Sequence, residues 1–128
     1  MRMEKLKDKV VLIVDDDRRN TFALTSYLEA LDMKIVIADN GEEAISLLHK
    51  GTKPDIILLD MMMPVMDGYE TLNMLKQDSS LKQIPVIAVT ARAMKGDREK
   101  CMEAGAWDYT SKPIDLVSLV DKITKWII

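Results

Sequence analysis

The sequence contains little of what marks disulfide-rich, membrane-spanning or nucleic-acid-binding proteins. Its single cysteine, Cys101, excludes an internal disulfide and suits a reducing cytosol. No apolar run approaches the roughly 18 residues that cross a membrane, and no signal peptide is visible. The formal charge of −3 offers no basic face for nucleic acid. We therefore expect a cytoplasmic domain that itself contacts neither membrane nor nucleic acid.

The composition is that of an ordinary globular domain. Apolar residues make up 48% of the chain and charged residues 30%, which is typical of a protein with a buried core. A length of 128 residues is enough for one domain of ordinary size. We predict a charged lead-in over residues 1–8 and a single domain over residues 9–128, with no linker inside it.

Strand-like and helix-like segments alternate along the chain. The predicted strands are Val10–Val14, Lys34–Ala38, Asp55–Leu59, Val86–Val89 and Trp107–Thr110. Helical spacing or capping residues follow each of them, including Asn40 with Glu43, the segment Gly68–Lys76, Asp97 as an N-cap with Gly105 as the C′ residue, and the stripe from Leu116 to Ile127. Short crossovers between strands require a parallel sheet with helices on both faces. We predict a doubly wound α/β domain.

Aspartates close two of the predicted strands. Asp15, Asp16 and Asp17 follow the first strand, and Asp60 follows the third. Open parallel sheets bind ligands outside the carboxyl ends of their strands, so we expect these side chains to share one pocket. Carboxylates about 4 Å apart repel by roughly 4 kcal/mol at an effective dielectric near 20. The pocket therefore requires a cation or a proton to offset the repulsion.

The residue types at the strand ends favour phosphoryl chemistry. Clustered carboxylates without nearby histidine or cysteine form a hard-oxygen site, which suits Mg²⁺ rather than zinc. A carboxylate is also a nucleophile towards phosphorus, and a phosphoryl group on Asp60 would need a cation and a hydroxyl donor. Lys112 and Thr90 follow the fifth and fourth strands and supply both. Spacing alone leaves open which aspartates bind metal, and Asp17 is also a good N-cap for the first helix.

Several motifs, in order along the chain, carry a resemblance to a known family. They are Val14–Asp17, Asp60–Pro64, Met66–Gly68, Val89–Ala91 and Ser111–Pro113. Together they resemble the receiver domain of two-component response regulators, over nearly the whole chain. Two stretches, 15–20 and 91–98, are most similar to the receivers of hybrid sensor histidine kinases. The resemblance implies a single flavodoxin-like (βα)5 domain, with its parallel five-stranded sheet in the order 2-1-3-4-5.

The resemblance also assigns the residues that handle phosphate. Asp60 is implied to accept a phosphoryl group from a phosphohistidine, carried by a sensor histidine kinase or a histidine phosphotransfer domain. The Mg²⁺ ligands are implied to be Asp15, Asp16, Asp60 and the backbone carbonyl of Met62. Lys112 is implied to pair with the phosphoryl group.

Further roles belong to the conformational switch and to hydrolysis. The resemblance implies that Thr90 moves to hydrogen-bond the phosphoryl group and that Tyr109 is the switch aromatic. Met62 and Arg92 occupy the positions that flank the path of the attacking water. The Lys112–Pro113 bond is often cis in the family. Such a domain catalyses its own phosphorylation and dephosphorylation without turning over an external substrate, and homodimerisation on phosphorylation is a further expectation.

Other interpretations remain at this stage. A haloacid-dehalogenase-like phosphatase also places a nucleophilic aspartate after its first strand, with a second acid two positions on, as Asp15 and Asp17 are. The residue expected after the second acid is missing, and there is no room for a cap domain. A flavin or nucleotide carrier would need a phosphate-binding loop, but residues 15–20 contain no glycine. The sequence does not decide between a stand-alone regulator and a receiver from a hybrid kinase.

Overall fold

A computed structural model of the chain describes residues 5–63, 65–91 and 96–127, which form five strands and five helices. The elements in chain order are β1 (Val10–Val14), α1 (Arg18–Glu29), β2 (Lys34–Ala38), α2 (Gly41–His49), β3 (Ile56–Asp60), α3 (Gly68–Gln77), β4 (Val86–Thr90), α4 (Asp97–Glu103), β5 (Asp108–Ser111) and α5 (Leu116–Ile127). None of the described helices is long and apolar enough to span a membrane.

The five strands form one parallel sheet in the order β2-β1-β3-β4-β5, which confirms the predicted topology. The three inner strands are almost entirely buried, as their continuous apolar runs predict. Register aligns their carboxyl ends, because Val14 pairs with Leu59 and Asp60 pairs with Val89. The residues that follow the strands therefore meet at one edge of the sheet.

Alternate strand residues build a separate core on each face of the sheet. On one face, Leu12 and Leu59 pack with buried residues of α2, α3 and α4. On the other face, Ile13 and Leu58 pack with buried residues of α1 and α5. Because each face is covered by its own helices, the domain is doubly wound, as predicted.

Polar side chains begin three helices directly beside the carboxyl edge. Asp17, Asn40 and Asp67 are the N-caps of α1, α2 and α3, and each side chain accepts hydrogen bonds from backbone N–H groups of the first turn. The predicted caps Asp17 and Asn40 are confirmed. The prediction for α4 was wrong, because Gly96, with φ of 95°, is the N-cap and Asp97 is the first helical residue.

Two strands are displaced by one residue from their predicted bounds, and a third is longer by one. β3 runs from Ile56 to Asp60, because the Asp55 side chain accepts a hydrogen bond from the backbone N–H of Val10 at 2.7 Å rather than facing the core. β4 continues to Thr90, and β5 runs from Asp108 to Ser111. Asp60 and Thr90 thus lie inside strands, where the sheet fixes their backbones, whereas Asp15, Asp16 and Lys112 directly follow strands.

The lead-in contributes to the core. Leu6 is fully buried and packs in the same cluster as Val11, Leu28 and Met33. The backbone N–H of Asp8 donates to the carbonyl of Asp32 at 2.8 Å, which holds this segment against the end of α1. Leu6 therefore stabilises the face of the sheet that α1 and α5 cover.

Candidate functional site

Three carboxylates converge at the carboxyl edge of the two central strands. Asp60 is the last residue of β3, and Asp15 and Asp16 directly follow β1, its neighbour in the sheet. One oxygen from each of the three lies within 4.8 Å of the others. Asp15 and Asp60 are only 3% and 4% exposed, whereas Asp16 is exposed. The shared acidic pocket predicted from the sequence is present.

The Lys112 ammonium reaches into this pocket from the loop after β5. Its Nζ lies 3.2 Å from Asp15 Oδ2 and 3.5 Å from Asp60 Oδ2. The backbone N–H of Lys112 donates to the carbonyl of Thr90 at 2.8 Å, so the end of β4 positions the loop. The Lys112–Pro113 peptide is cis, as the resemblance implied.

The two buried carboxylates differ in how fully their oxygens are engaged. Asp15 Oδ1 accepts from the N–H of Asp17 at 2.8 Å, and Oδ2 accepts from Asn20 Nδ2 at 2.7 Å as well as facing Lys112. Asp60 Oδ1 accepts from the N–H of Met62 at 3.0 Å, while Oδ2 contacts only the lysine among these partners. Asp60 Oδ2 is therefore the less engaged of the two oxygens that face Lys112.

Electrostatics set Asp60 apart. Burial raises the pKa of Asp60 from 3.8 to about 6, and the charge of Asp15 adds to the increase, while the Met62 N–H and Lys112 oppose it. Burial by itself lowers the pKa of Lys112, but the charges of Asp15 and Asp60 outweigh burial and raise it. Lys112 therefore stays protonated, yet one ammonium does not compensate all three carboxylates.

The donor set of the pocket fits a hard divalent cation. Asp15, Asp16 and Asp60 offer only carboxylate oxygens, which Mg²⁺ and Ca²⁺ prefer. The nearby Met61 and Met63 do not add soft sulfur ligands to this set, because both are buried within the apolar core cluster. The three acidic side chains that the sequence places in one pocket therefore do lie together, and their role as metal ligands stays a prediction.

The predicted switch residues lie on the two strands that follow β3 in the sheet, Thr90 on β4 and Tyr109 on β5. Thr90, 5% exposed, ends β4, which pairs directly with β3. Tyr109 is half-buried on β5 against the apolar core, and burial raises its pKa, with nearby Asp97 and Cys101 contributing. Their movement on phosphorylation stays a prediction. Arg92, predicted beside the water path, lies outside the described residues.

Beside Lys112 the surface opens into a groove of about 540 Å³ between α1 and the loop that precedes α5. Ala23, Leu24 and Ile114 give it an apolar lining, while Arg19 and Lys112 provide positive charge. The groove was not predicted from the sequence, because it depends on how α1 packs against a segment more than eighty positions away.

Asn20 is the site residue that sequence reasoning missed. It lies in the first turn of α1, and its side chain donates to Asp15 across that turn. The available signal was its position three residues after the N-cap Asp17, which places it on the helix face nearest the strand end. From the sequence alone, Asn20 is indistinguishable from any polar residue on a helix surface.

The chain is similar to known proteins over most of its length. The model of the response regulator receiver domain family matches residues 11–124. The polar-differentiation response regulator DivK of Brucella anthropi is 39% identical over 119 residues, covering 93% of this chain and 96% of the relative.

Solved structures show the same similarity. The receiver domain of a sensor histidine kinase from Pseudomonas aeruginosa, with a magnesium ion coordinated in its active-site cleft, is 31% identical with a TM-score of 0.85, covering 94% of this chain and 98% of the other. A chain in the co-crystal structure of the Saccharomyces cerevisiae phosphotransfer protein Ypd1 with the receiver domain of Ssk1 is 28% identical with a TM-score of 0.87, covering 95% and 90%.

These matches extend over almost the whole chain and give no support to the phosphatase alternative. They agree with the parallel sheet, its strand order and the acidic edge between β1 and β3. The chain belongs to the response regulator receiver domain family.

Proposed function

We propose that Asp60 is the phosphoacceptor of this receiver domain. The observation that supports this assignment best is the state of Asp60 Oδ2, a buried carboxylate oxygen that faces the Lys112 ammonium at 3.5 Å. Its partner acid Asp15 has both oxygens engaged by neutral donors, whereas Asp60 has only Oδ1 so engaged. Burial raises the pKa of Asp60, so its ionised form is more basic than an ordinary carboxylate and is the better nucleophile towards phosphorus.

The proposed reaction moves one phosphoryl group from a phosphohistidine to this oxygen. Asp60 Oδ2 forms the new P–O bond, the N–P bond of the donor breaks, and its electron pair stays on the imidazole nitrogen. The Met62 N–H holds the other oxygen of Asp60, which fixes the orientation of the attacking one. The product is an acyl phosphate.

The surrounding side chains would offset the charge of the transferred group. Lys112 lies within reach of Asp60 Oδ2 and would turn from Asp15 towards the phosphoryl oxygens. Thr90, at the end of the adjacent strand, would donate its hydroxyl. Asp15, Asp16 and Asp60, with the carbonyl of Met62, would hold Mg²⁺, which when bound supplies positive charge to the phosphoryl oxygens.

The proposed partner is a protein that carries a phosphohistidine. The groove beside Lys112 supports this, because it offers an apolar contact area next to the lysine that faces Asp60, with Arg19 and Asp17 as further charged residues in its lining. The similarity to the receiver domain of Ssk1, crystallised with a histidine phosphotransfer protein, supports the same class of partner. A sensor histidine kinase would present the same group, and the hybrid-kinase context stays a prediction.

The assignment is tested with a small acyl phosphate in place of the protein donor. Wild-type protein incubated with acetyl phosphate and Mg²⁺ should gain the mass of one phosphoryl group, and Asp60→Asn should gain none. Asp39→Asn is the matched control, because Asp39 also follows a strand, β2, but instead forms an ion pair with Arg18 at 3.6 Å. Equal labelling of wild type and Asp60→Asn would reject the proposal.

Homodimerisation on phosphorylation is a separate part of the proposal. It rests on the family resemblance together with the position of Tyr109 on β5, an edge strand of the sheet. Light scattering of the wild-type protein with and without beryllofluoride, a mimic of the acyl phosphate, measures it. An unchanged monomeric mass in the presence of beryllofluoride would contradict it.

A further inference from the structure

The amide of Asn20 occupies an unusual place for a helix side chain. It donates to Asp15 Oδ2 at 2.7 Å, the same oxygen that Lys112 faces at 3.2 Å. Asp15 is 3% exposed, so the loss of a donor would leave a buried carboxylate oxygen with one hydrogen bond fewer. Two donors thus share one buried carboxylate oxygen, and one of them is neutral.

The helix start fixes the position of that amide. The Asp17 side chain caps α1 through Asp17 Oδ1, which accepts from the backbone N–H groups of Arg19 and Asn20 at 3.0 Å and 3.4 Å. The Asp17 N–H in turn donates to Asp15 Oδ1. Asp15 is therefore held on one oxygen by the backbone before the helix and on the other by the Asn20 side chain.

This arrangement matters for the lysine. In the proposed reaction Lys112 must leave Asp15 in order to pair with the phosphoryl group on Asp60. A neutral donor that stays on Asp15 Oδ2 makes that movement less costly, because the buried carboxylate keeps a hydrogen bond. If the amide were absent, Lys112 would be the remaining side-chain donor to this oxygen, and the ion pair would compete with the metal for Asp15.

We propose that Asn20 is a positioning residue: its amide orients Asp15 towards a divalent cation and frees Lys112 for the phosphoryl group. The inference rests on the proposed function of the same site. The Asn20 side chain bonds to Asp15, so it would act on the cation and the phosphoryl group through Asp15. Partners that orient metal ligands in this way typically change metal affinity by roughly 10- to 100-fold when they are removed.

The test is direct Mg²⁺ binding to the unphosphorylated protein, measured by isothermal titration calorimetry. We expect Asn20→Ala to raise the dissociation constant about ten-fold. Asn20→Gln keeps an amide donor, and the groove that Asn20 lines has room for the extra methylene while the amide bonds to Asp15, so this variant should recover most of the affinity. Asn73→Ala is the matched control, because Asn73 is an exposed helix asparagine of α3 whose side chain accepts a hydrogen bond from Gln77.

Three results would overturn the inference. They are a dissociation constant for Asn20→Ala that is unchanged or lower than that of the wild type, a loss of affinity that Asn20→Gln does not recover, and an equal loss in Asn73→Ala. A purely structural role would lower the unfolding midpoint in EDTA without changing the Mg²⁺ dissociation constant. The proposed function is tested separately, by whether acetyl phosphate labels the wild-type protein on Asp60.

A second measurement does not depend on the variants folding. In the NMR spectrum of the wild-type protein, one side-chain N–H of Asn20 should lie downfield of ordinary asparagine amides, because it bonds to a carboxylate. Added Mg²⁺ should shift that signal, and the Mg²⁺ concentration at half of the full shift should agree with the dissociation constant from calorimetry. An Asn20 signal at the ordinary position that does not respond to Mg²⁺ would overturn the inference.

Discussion

Removing the charge of Asp60 should stabilise the metal-free protein, although Asp60 is the proposed reactive residue. The fold raises the pKa of this carboxyl from 3.8 to about 6, chiefly through burial. A raised carboxyl pKa means that the folded state holds the proton more tightly than the unfolded chain does. Stability is therefore lost as the pH rises from about 3.8 to about 6, and the loss persists at neutral pH.

The size of the effect follows from the same values. A difference of about two pKa units, at about 1.4 kcal/mol for each, gives a ceiling of about 3 kcal/mol. Asp60 is 4% exposed, so solvent screens little of it. We expect Asp60→Asn to gain about 2 kcal/mol, somewhat less than the ceiling, because the new amide N–H₂ must lie beside the Lys112 ammonium.

Urea unfolding in EDTA, followed by the fluorescence of Trp107 and Trp126, measures the gain. At about pH 7.5 the midpoint of Asp60→Asn should lie about 1 M above that of the wild type, and near pH 4 the difference should largely disappear. Asp115→Asn is the control, because Asp115 is exposed and the side-chain oxygen of the new asparagine can still accept the hydrogen bonds from the backbone N–H groups of Val117 and Ser118. A midpoint for Asp60→Asn at or below that of the wild type at neutral pH would refute the reasoning.

Three further predictions address the surroundings of Asp60. Asp16→Asn should raise the unfolding free energy in EDTA by about 1 kcal/mol while weakening Mg²⁺ binding, and a lower midpoint in EDTA with an unchanged rise on adding Mg²⁺ would contradict the shared pocket. Met62→Asn and Arg92→Glu should each speed the loss of phosphate after the donor is removed, because both introduce an acceptor that can orient water. If the phosphorylated form of both variants decayed at the wild-type rate, these side chains would not control hydrolysis. Gly68→Ala should lower the unfolding free energy by about 2 kcal/mol, because the new Cβ would lie 2.6 Å from Met61 Cα and 3.0 Å from the Asp60 carbonyl oxygen. A urea midpoint equal to that of the wild type would contradict this prediction, because it would mean that the surrounding backbone relaxes without cost.

The sequence predicted the sheet and its acidic edge because both depend on local pattern. Val10–Val14 is apolar at every position, so only a strand covered on both faces accommodates it, and an aspartate directly after it must lie at the sheet edge. The N-cap role of Asp17 follows from the same local logic. The predictions of the sheet and of the Asp17 cap were confirmed because residue type and position along the chain decide both features.

The features that were missed depend on contacts distant in sequence or on backbone conformation. Leu6 looked like part of a charged lead-in, yet it packs with Met33 and α5 in the core. The cap of α4 was assigned to Asp97, because no residue pattern announces that Gly96 adopts a left-handed conformation. Asn20 became part of the site only through the packing of α1 beside the end of β1.

The central claim, that Asp60 carries the phosphoryl group, is tested most directly by locating the modified residue. Borohydride converts an acyl phosphate of aspartate into homoserine, which mass spectrometry of peptides assigns to one position. Wild-type protein treated with acetyl phosphate and Mg²⁺ should contain homoserine at position 60 and not at positions 15 or 16. Homoserine at Asp15 or Asp16 with none at Asp60 would contradict the account.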